Sequence, residues 1–410
     1  MNNPTSSRTA LLLFAAICLI LAIPTGAAFL TFLEIHRNGV DGVLGLSGAW
    51  GVAVSRDDRN VYATGSSSNT VAVFSRDGVR GELTFVEMHE DDIGGVDGLD
   101  HADSLAVSPD DKNVYVTGGH DDALAVFSRS VVTGRLTFVE VHKDGIGGVD
   151  GLDEAHSVAV SADGRNVYVA SSEDDAVAVF HRNSDTGILT FAEVHKDGVG
   201  PIDGLDRVRS VVVSPDDKNV YAASNYGDAV VVFRRDAVTG VLTFVEAQKD
   251  GENGVDGLNG AEWVTVSPDN RHVYVASRID DAVTVFSRNT TTGALTFVET
   301  HKDTSSGIDT LDGAHAVVVS VDNASVFVIS DIDDALLVFR RNIATGALIF
   351  VEVLVDNIGG VDGLESPFSL AVSADNKNLY VAGNKDDSVA VFGLPAHLPF
   401  RIYLPMVMTD

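Results

Sequence analysis

The stretch "HKDGIGGVDGLDEAHSVAV", His142 to Val160, is matched 53 residues earlier by "HEDDIGGVDGLDHADSLAV" (His89 to Val107). It is matched again 53 residues later by "HKDGVGPIDGLDRVRSVVV" (His195 to Val213). The register holds along the chain: "LTF" or a close variant begins at Leu30, Leu83, Leu136, Leu189, Leu242, Leu295 and Leu348. Seven copies at one interval leave no room for a second domain in 410 residues, and a fixed period of this size marks a solenoid or a propeller.

One copy decides between those two. "SVAVS" (Ser157–Ser161), "NVYVAS" (Asn166–Ser171), "AVAVFHR" (Ala176–Arg182) and "ILTFAEVH" (Ile188–His195) alternate apolar and polar or small residues. The turns "ADGR", "SEDD" and "NSDTG" separate them. Period-two alternation, β-branched residues and Asp/Gly turns predict strands, and no window of the chain after the signal offers a helical period. Four short antiparallel strands repeated seven times predict an all-β, seven-bladed β-propeller. The chain opens with a lone fourth strand, "LTFLEIH" (Leu30–His36), and closes with three strands between Phe368 and Phe392. The N-terminal strand is therefore expected to complete the last blade, a one-plus-three closure that removes the open edge. The expected organisation is a signal peptide over residues 1–28, a propeller over 29–393 and a tail over 394–410. The tail is expected to dock on the propeller, with sorting or anchoring as the alternative.

The chain carries 28 basic and 59 acidic residues, a net charge of −31. That field repels phosphate backbones and anionic lipid, which excludes nucleic acid as a partner. Arg8, the 14-residue apolar run Ala10–Ile23 and the small residues of "PTGAA" (Pro24–Ala28) read as an export signal. A secreted or cell-surface monomer with no membrane span after cleavage is expected; an uncleaved anchor is the alternative. Cys18 is the single cysteine and lies inside the run, so a cleaved chain has neither disulfide nor thiol nucleophile.

"SPDDKNVYVTGG" (Ser108–Gly119) resembles the YVTN-type propeller repeat. The unit "AHSVAVSADGRNVYVASSEDDAVAVF" resembles the lactonase-type seven-bladed propellers, which include 6-phosphogluconolactonases and muconate-lactonising enzymes. The resemblance covers nearly the whole chain after the signal and implies the same fold. As an activity it implies lactone chemistry, with no cofactor required.

Standard catalytic motifs are absent: there is no G-x-S-x-G, H-E-x-x-H or phosphate-cradling glycine loop. Recurrent acids come first. Asp91, Asp144, Asp197, Asp250, Asp303 and Asp356 share one loop position, and Asp97, Asp150, Asp203, Asp256, Asp309 and Asp362 follow six residues later. Oxygen-rich loops of this kind suit Ca2+. Side chains capping a tight turn would repeat in the same way, and this is the favoured reading. His36, His89, His142, His195 and His301 end the fourth strands; Gln248 and Leu354 replace them in two copies, which points to packing rather than metal.

Function is expected where the copies disagree. The residue just before the first strand reads Trp50, Asp103, His156, Arg209, Glu262, His315 and Phe368. In a propeller these seven positions ring the mouth of the central channel. A carboxylate or imidazole can serve as general base, an arginine can stabilise an oxyanion, and aromatics can wall a ligand. The resemblance implies His and Arg at these positions, which brings forward His156, Arg209 and His315, with Glu262 between blades. The expected roles are Arg209 as oxyanion clamp, Glu262 as base and His156 or His315 as proton donor. Trp50, Asp103 and Phe368 are expected to contact ligand. So are Asn225 and Arg278 from a second variable ring after the second strand, in which Ser66, Gly119, Ser172, Asp331 and Asn384 also stand. Two readings follow: an exported lactonase-like enzyme acting on a small neutral lactone or ester, or a non-catalytic propeller binding a protein, glycan or Ca2+.

Overall fold

The computed structural model describes residues 30–305 and 307–395; the expected signal segment and the tail beyond Pro395 lie outside these. The described residues form seven four-stranded antiparallel sheets. Blades 1 to 6 comprise residues 49–90, 102–143, 155–196, 208–249, 261–302 and 314–355. Blade 7 takes Pro367–Val372, Asn378–Gly383 and Ser388–Gly393 as its first three strands, and Thr31–Arg37 pairs with the third as its fourth. The ring closes where the first strand of blade 1 packs on that of blade 7. No helix among the described residues is long and apolar enough to cross a membrane.

Burial follows from strand position. The second and third strands of blade 3, Asn166–Ser171 and Ala176–Arg182, are almost entirely buried because neighbouring blades cover both faces. The fourth, Leu189–Lys196, is only partly covered. Apolar residues gather in seven clusters, each spanning two adjacent blades, so the core is a ring of seams rather than one centre.

On the floor of the ring one polar device recurs. Arg182, ending the third strand of blade 3, donates from Nε to the hydroxyl of Tyr115 in blade 2 at 2.7 Å. Its Nη2 reaches both oxygens of Asp110 at 2.9 and 3.1 Å and Asn113 Oδ1 at 2.7 Å. The Tyr115 hydroxyl donates in turn to the Gly187 carbonyl at 3.0 Å. Every group is satisfied, which is the condition for burying a charge. Arg76, Arg129, Arg235, Arg288 and Arg341 repeat the arrangement at five more seams. At the seam from blade 6 to blade 7, Phe327, Ser325 and Leu394 replace the tyrosine, asparagine and arginine together. Phe327 and Leu394 join the apolar cluster there, so a packed hydrophobic contact substitutes for the polar one.

Candidate active site

Strand bounds differ from the sequence expectation at one informative place. The first strand of blade 3 begins at Ala155, not Ser157, and His156 lies inside it. Ala155 pairs with Ser171 and Ser157 with Ala170, so His156 is an extra, unpaired residue. A bulge of this kind bends the strand and re-aims a side chain. Register shifts at the same position release Arg209, Glu262, His315 and Phe368, while Trp50 and Asp103 lie in slightly longer shifts. This explains the variability at the seven positions: a bulged side chain leaves the packed face of its blade and carries no shared packing demand.

The residue before each of these strands is left-handed, with φ of +54° at His101, +52° at Glu154 and +49° at Arg207. Gly48, Gly260 and Gly313 hold the equivalent places in blades 1, 5 and 6. Residues with a Cβ held there cost about 1 kcal/mol or more each, and such strain tends to collect at functional sites. His101 and Glu154 were not singled out in the sequence, where only the glycines advertise the backbone requirement.

These two tiers and the residues that follow the second strands link all seven blades across the mouth. Asp103 is fully buried, and its two carboxylate oxygens lie 2.8 Å from Nδ1 of His101 and Nδ1 of His156. Neither contact is a well-aligned hydrogen bond. Burial alone would raise the Asp103 pKa, but the two imidazoles outweigh it and hold the carboxyl below its ordinary range. Burial likewise disfavours the charged form of His156, yet Asp103 and Glu154 overcome it and raise the imidazole pKa. Glu154 sits 3.6 Å from His156 Nε2, accepts from the Ser172 hydroxyl at 2.6 Å, and is drawn down to about 2, chiefly by His156. Arg209 brings Nη1 onto His156 Nε2, while its buried Nε has no partner. A neutral His156 with its proton on Nδ1 suits this arrangement: Asp103 faces the proton and Arg209 faces the lone pair.

The circuit continues with different chemistry. Asn225 donates to Glu262 Oε1 at 2.6 Å, and Arg278 Nε lies 3.1 Å from Asp331 Oδ2. His315 stacks on Phe368 with centroids 4.6 Å apart and places Nδ1 2.9 Å from the Phe368 carbonyl oxygen; burial lowers its pKa. Phe368 meets Trp50 edge-on at 4.4 Å, and Trp50 meets His101 at 5.4 Å. Blades 2 to 6 thus supply a charged arc and blades 6, 7 and 1 an aromatic one. All nine residues expected at the mouth stand in this circuit, extended by His101, Glu154, Ser172 and Asp331.

The acidic loops do something else. Asp91 Oδ1 accepts from the Leu99 N–H at 2.9 Å, and Asp144, Asp303 and Asp356 cap the same turn in their repeats. Among the described residues, four groups of three aspartates come close enough to hold a metal: Asp91, Asp97 and Asp121, with their counterparts at Asp144, Asp250 and Asp356. In each of them a cation of the chain already bridges two carboxylates. Lys143 lies 2.8 Å from both Asp97 and Asp121; Lys196, Lys302 and Arg37 occupy the other three. The fourth-strand histidines pack on phenylalanines and bond to glutamate: His142 lies 3.1 Å from Glu140 and 5.4 Å from the ring of Phe180.

Known proteins place this circuit in context. The family model described as "Lactonase, 7-bladed beta-propeller" matches residues 45–193, 105–256 and 250–348, overlapping stretches that include the bulged residues of blades 1 to 6. The 6-phosphogluconolactonase of Klebsiella pneumoniae (strain 342) is 28% identical over 171 residues, which is 40% of this chain and 49% of that protein. The chain thus spans about half the length of the curated relatives it matches. The periplasmic gluconolactonase of Pseudomonas aeruginosa superposes with a TM-score of 0.62 at 23% identity, covering 79% of this chain and 87% of that one. A protein from Lactobacillus plantarum superposes with a TM-score of 0.59 at 21% identity, covering 75% and 84%. With blade architecture, ring closure and repeat motif in agreement, the chain belongs to the lactonase family of seven-bladed β-propellers.

Proposed function

We propose that the channel mouth opens a small neutral lactone by adding water to its carbonyl. The observation that carries this reading is the line Asp103–His156–Arg209, in which a buried carboxylate orients an imidazole whose second nitrogen faces a guanidinium. The lactone-opening names of the relatives from Klebsiella and Pseudomonas support it.

In the free protein Arg209 rests on the His156 lone pair. A lactone carbonyl entering the mouth offers the guanidinium a better acceptor, and moving Nη1 to that oxygen frees Nε2. His156 then takes a proton from water as the oxygen attacks the carbonyl carbon, and Arg209 holds the negative oxygen that forms. When the ring C–O bond breaks, the imidazolium returns its proton to the departing alkoxide, so the net reaction is lactone plus water giving a hydroxy acid. Burial and the Asp103 partner favour His156 as the base. Glu262, held by Asn225, is placed to orient the attacking water or a substrate hydroxyl.

Charge pairing supports a neutral substrate. Arg207 faces Glu173 and Arg278 faces Asp331, so two of the cations at the mouth are already neutralised. The apolar run Ala10–Ile23 supports export, which we propose as the setting for the activity. The test is pH-stat hydrolysis of a panel of neutral lactones. Turnover by the intact protein, reduced about 10²–10⁴-fold in His156→Ala, is the expected result. No turnover of any lactone by the intact protein would leave a binding propeller instead.

A further inference from the structure

The tips of the loops joining second and third strands form an outermost tier around the mouth: Ser67, His120, Glu173, Tyr226, Ile279, Ile332 and Lys385. Four are polar or charged. The three apolar ones fall on consecutive blades, 4, 5 and 6, and are 62%, 54% and 50% exposed. They border the stretch of mouth that holds Arg209, Glu262 and His315.

Each of the three is seated by the residue that precedes the inner strand of its own blade. Tyr226 lies under the Arg207 guanidinium, 5.1 Å from ring centroid to Cζ. Ile279 lies over Gly260 so closely that a Cβ there would stand 2.6 Å from Ile279 Cγ1. Ile332 also stands close to Gly313, where a Cβ would meet the Asp331 carboxylate first and then Ile332 Cγ1 at 2.7 Å. Both glycines have positive φ, and a side chain at either would crowd the loop tip of its own blade. Tyr226, Ile279 and Ile332 thus form an apolar crescent on three consecutive blades beside the proposed reacting groups.

We infer that this crescent binds a hydrocarbon arm on the substrate, so that the preferred lactones carry an alkyl chain rather than a polyol. The inference rests on the proposed lactone-opening reaction and specifies its substrate class. Three observations combine: Tyr226, Ile279 and Ile332 border the site, Arg207 and Arg278 are already paired, and the equivalent tips of the other four blades are polar. The carbonyl sits at Arg209 and the chain leaves the mouth over blades 4 to 6.

The experiment compares kcat/KM for δ-valerolactone, δ-octanolactone, δ-decanolactone and glucono-δ-lactone, with the intact protein and with an Ile279→Asn/Ile332→Asn variant. Both replaced side chains are exposed, so the variant is expected to fold. The intact protein is expected to gain about two- to fourfold per methylene placed on the crescent and to prefer δ-decanolactone to glucono-δ-lactone. The gain per methylene is expected to flatten in the variant. Hydrolysis indifferent to chain length, or a gain that survives in the variant, overturns this inference and leaves the hydrolase intact. Failure to open any of the four lactones overturns the hydrolase, and the alkyl preference with it.

Discussion

The two ends of the channel join the same blades by opposite strategies. On the floor, six of the seven seams use one solution: an arginine bonded to a tyrosine, an aspartate and, in five of the six, an asparagine of the preceding blade. At the mouth all seven seams are bridged, and hardly any bridge repeats: aromatic edge, Asp–His, His–Arg, Asn–Glu, Arg–Asp, stacked His–Phe, Phe–Trp. A repeated solution answers a repeated demand, which is to hold blades together. Diversity at equivalent positions means that the demand is local. The floor is built to hold blades together, and the mouth is where we propose the chemistry.

Substitutions that act on one end and spare the other sharpen this contrast. Arg182→Ala leaves Asp110 without its buried partner and Tyr115 without its donor; a loss of about 3–5 kcal/mol is expected in chemical denaturation. The kcat/KM per folded molecule should stay at the wild-type value, and a matching fall in activity would break the division.

Asp103→Asn probes the other end. Asp103 raises the His156 pKa, so removing its charge lowers that pKa. The acid limb of the kcat/KM profile, where His156 must lose its proton to act as base, should move to lower pH, with the plateau reduced about a hundredfold. A limb that stays in place would deny His156 the role of base.

The exceptional floor seam gives a smaller effect. Phe327→Tyr restores the hydroxyl without an arginine at Leu394 to meet it, and a cost of about 1–3 kcal/mol is expected from the buried group. A stabilised protein would mean that the apolar seam is strained. Smallest of all is the effect of EDTA. Lysine or arginine already bridges the four aspartate groups, so the melting temperature should not move; a fall of several degrees would show that a metal ion holds the rim.

Fold and site were unequally legible in the sequence. Blade number, strand order and ring closure follow from the 53-residue register and from the lone strand at Leu30, because a repeat states its architecture seven times. The mouth ring was visible as disagreement between copies. Its cause was hidden, since a β-bulge leaves no residue signature of its own when the extra position varies freely. His101 and Glu154 escaped notice for a related reason: the left-handed backbone shows in the sequence only where glycine fills it, as at Gly48, Gly260 and Gly313. The aspartate loops read as turn caps, which Asp91 and Asp144 are, while the bridge from Lys143 to Asp97 and Asp121, 46 and 22 residues earlier, had no signal in the sequence. Such pairing depends on how neighbouring loops meet in space.

The most direct test of the division between floor and mouth is Arg209→Gln, assayed for lactone hydrolysis and for thermal unfolding together. Arg209 leaves no carboxylate stranded when it is neutralised, and its Nε has no partner to lose. The variant should melt with the wild type while kcat/KM falls about 10²–10³-fold. A variant that unfolds early, or that hydrolyses lactones at the wild-type rate, would contradict that division.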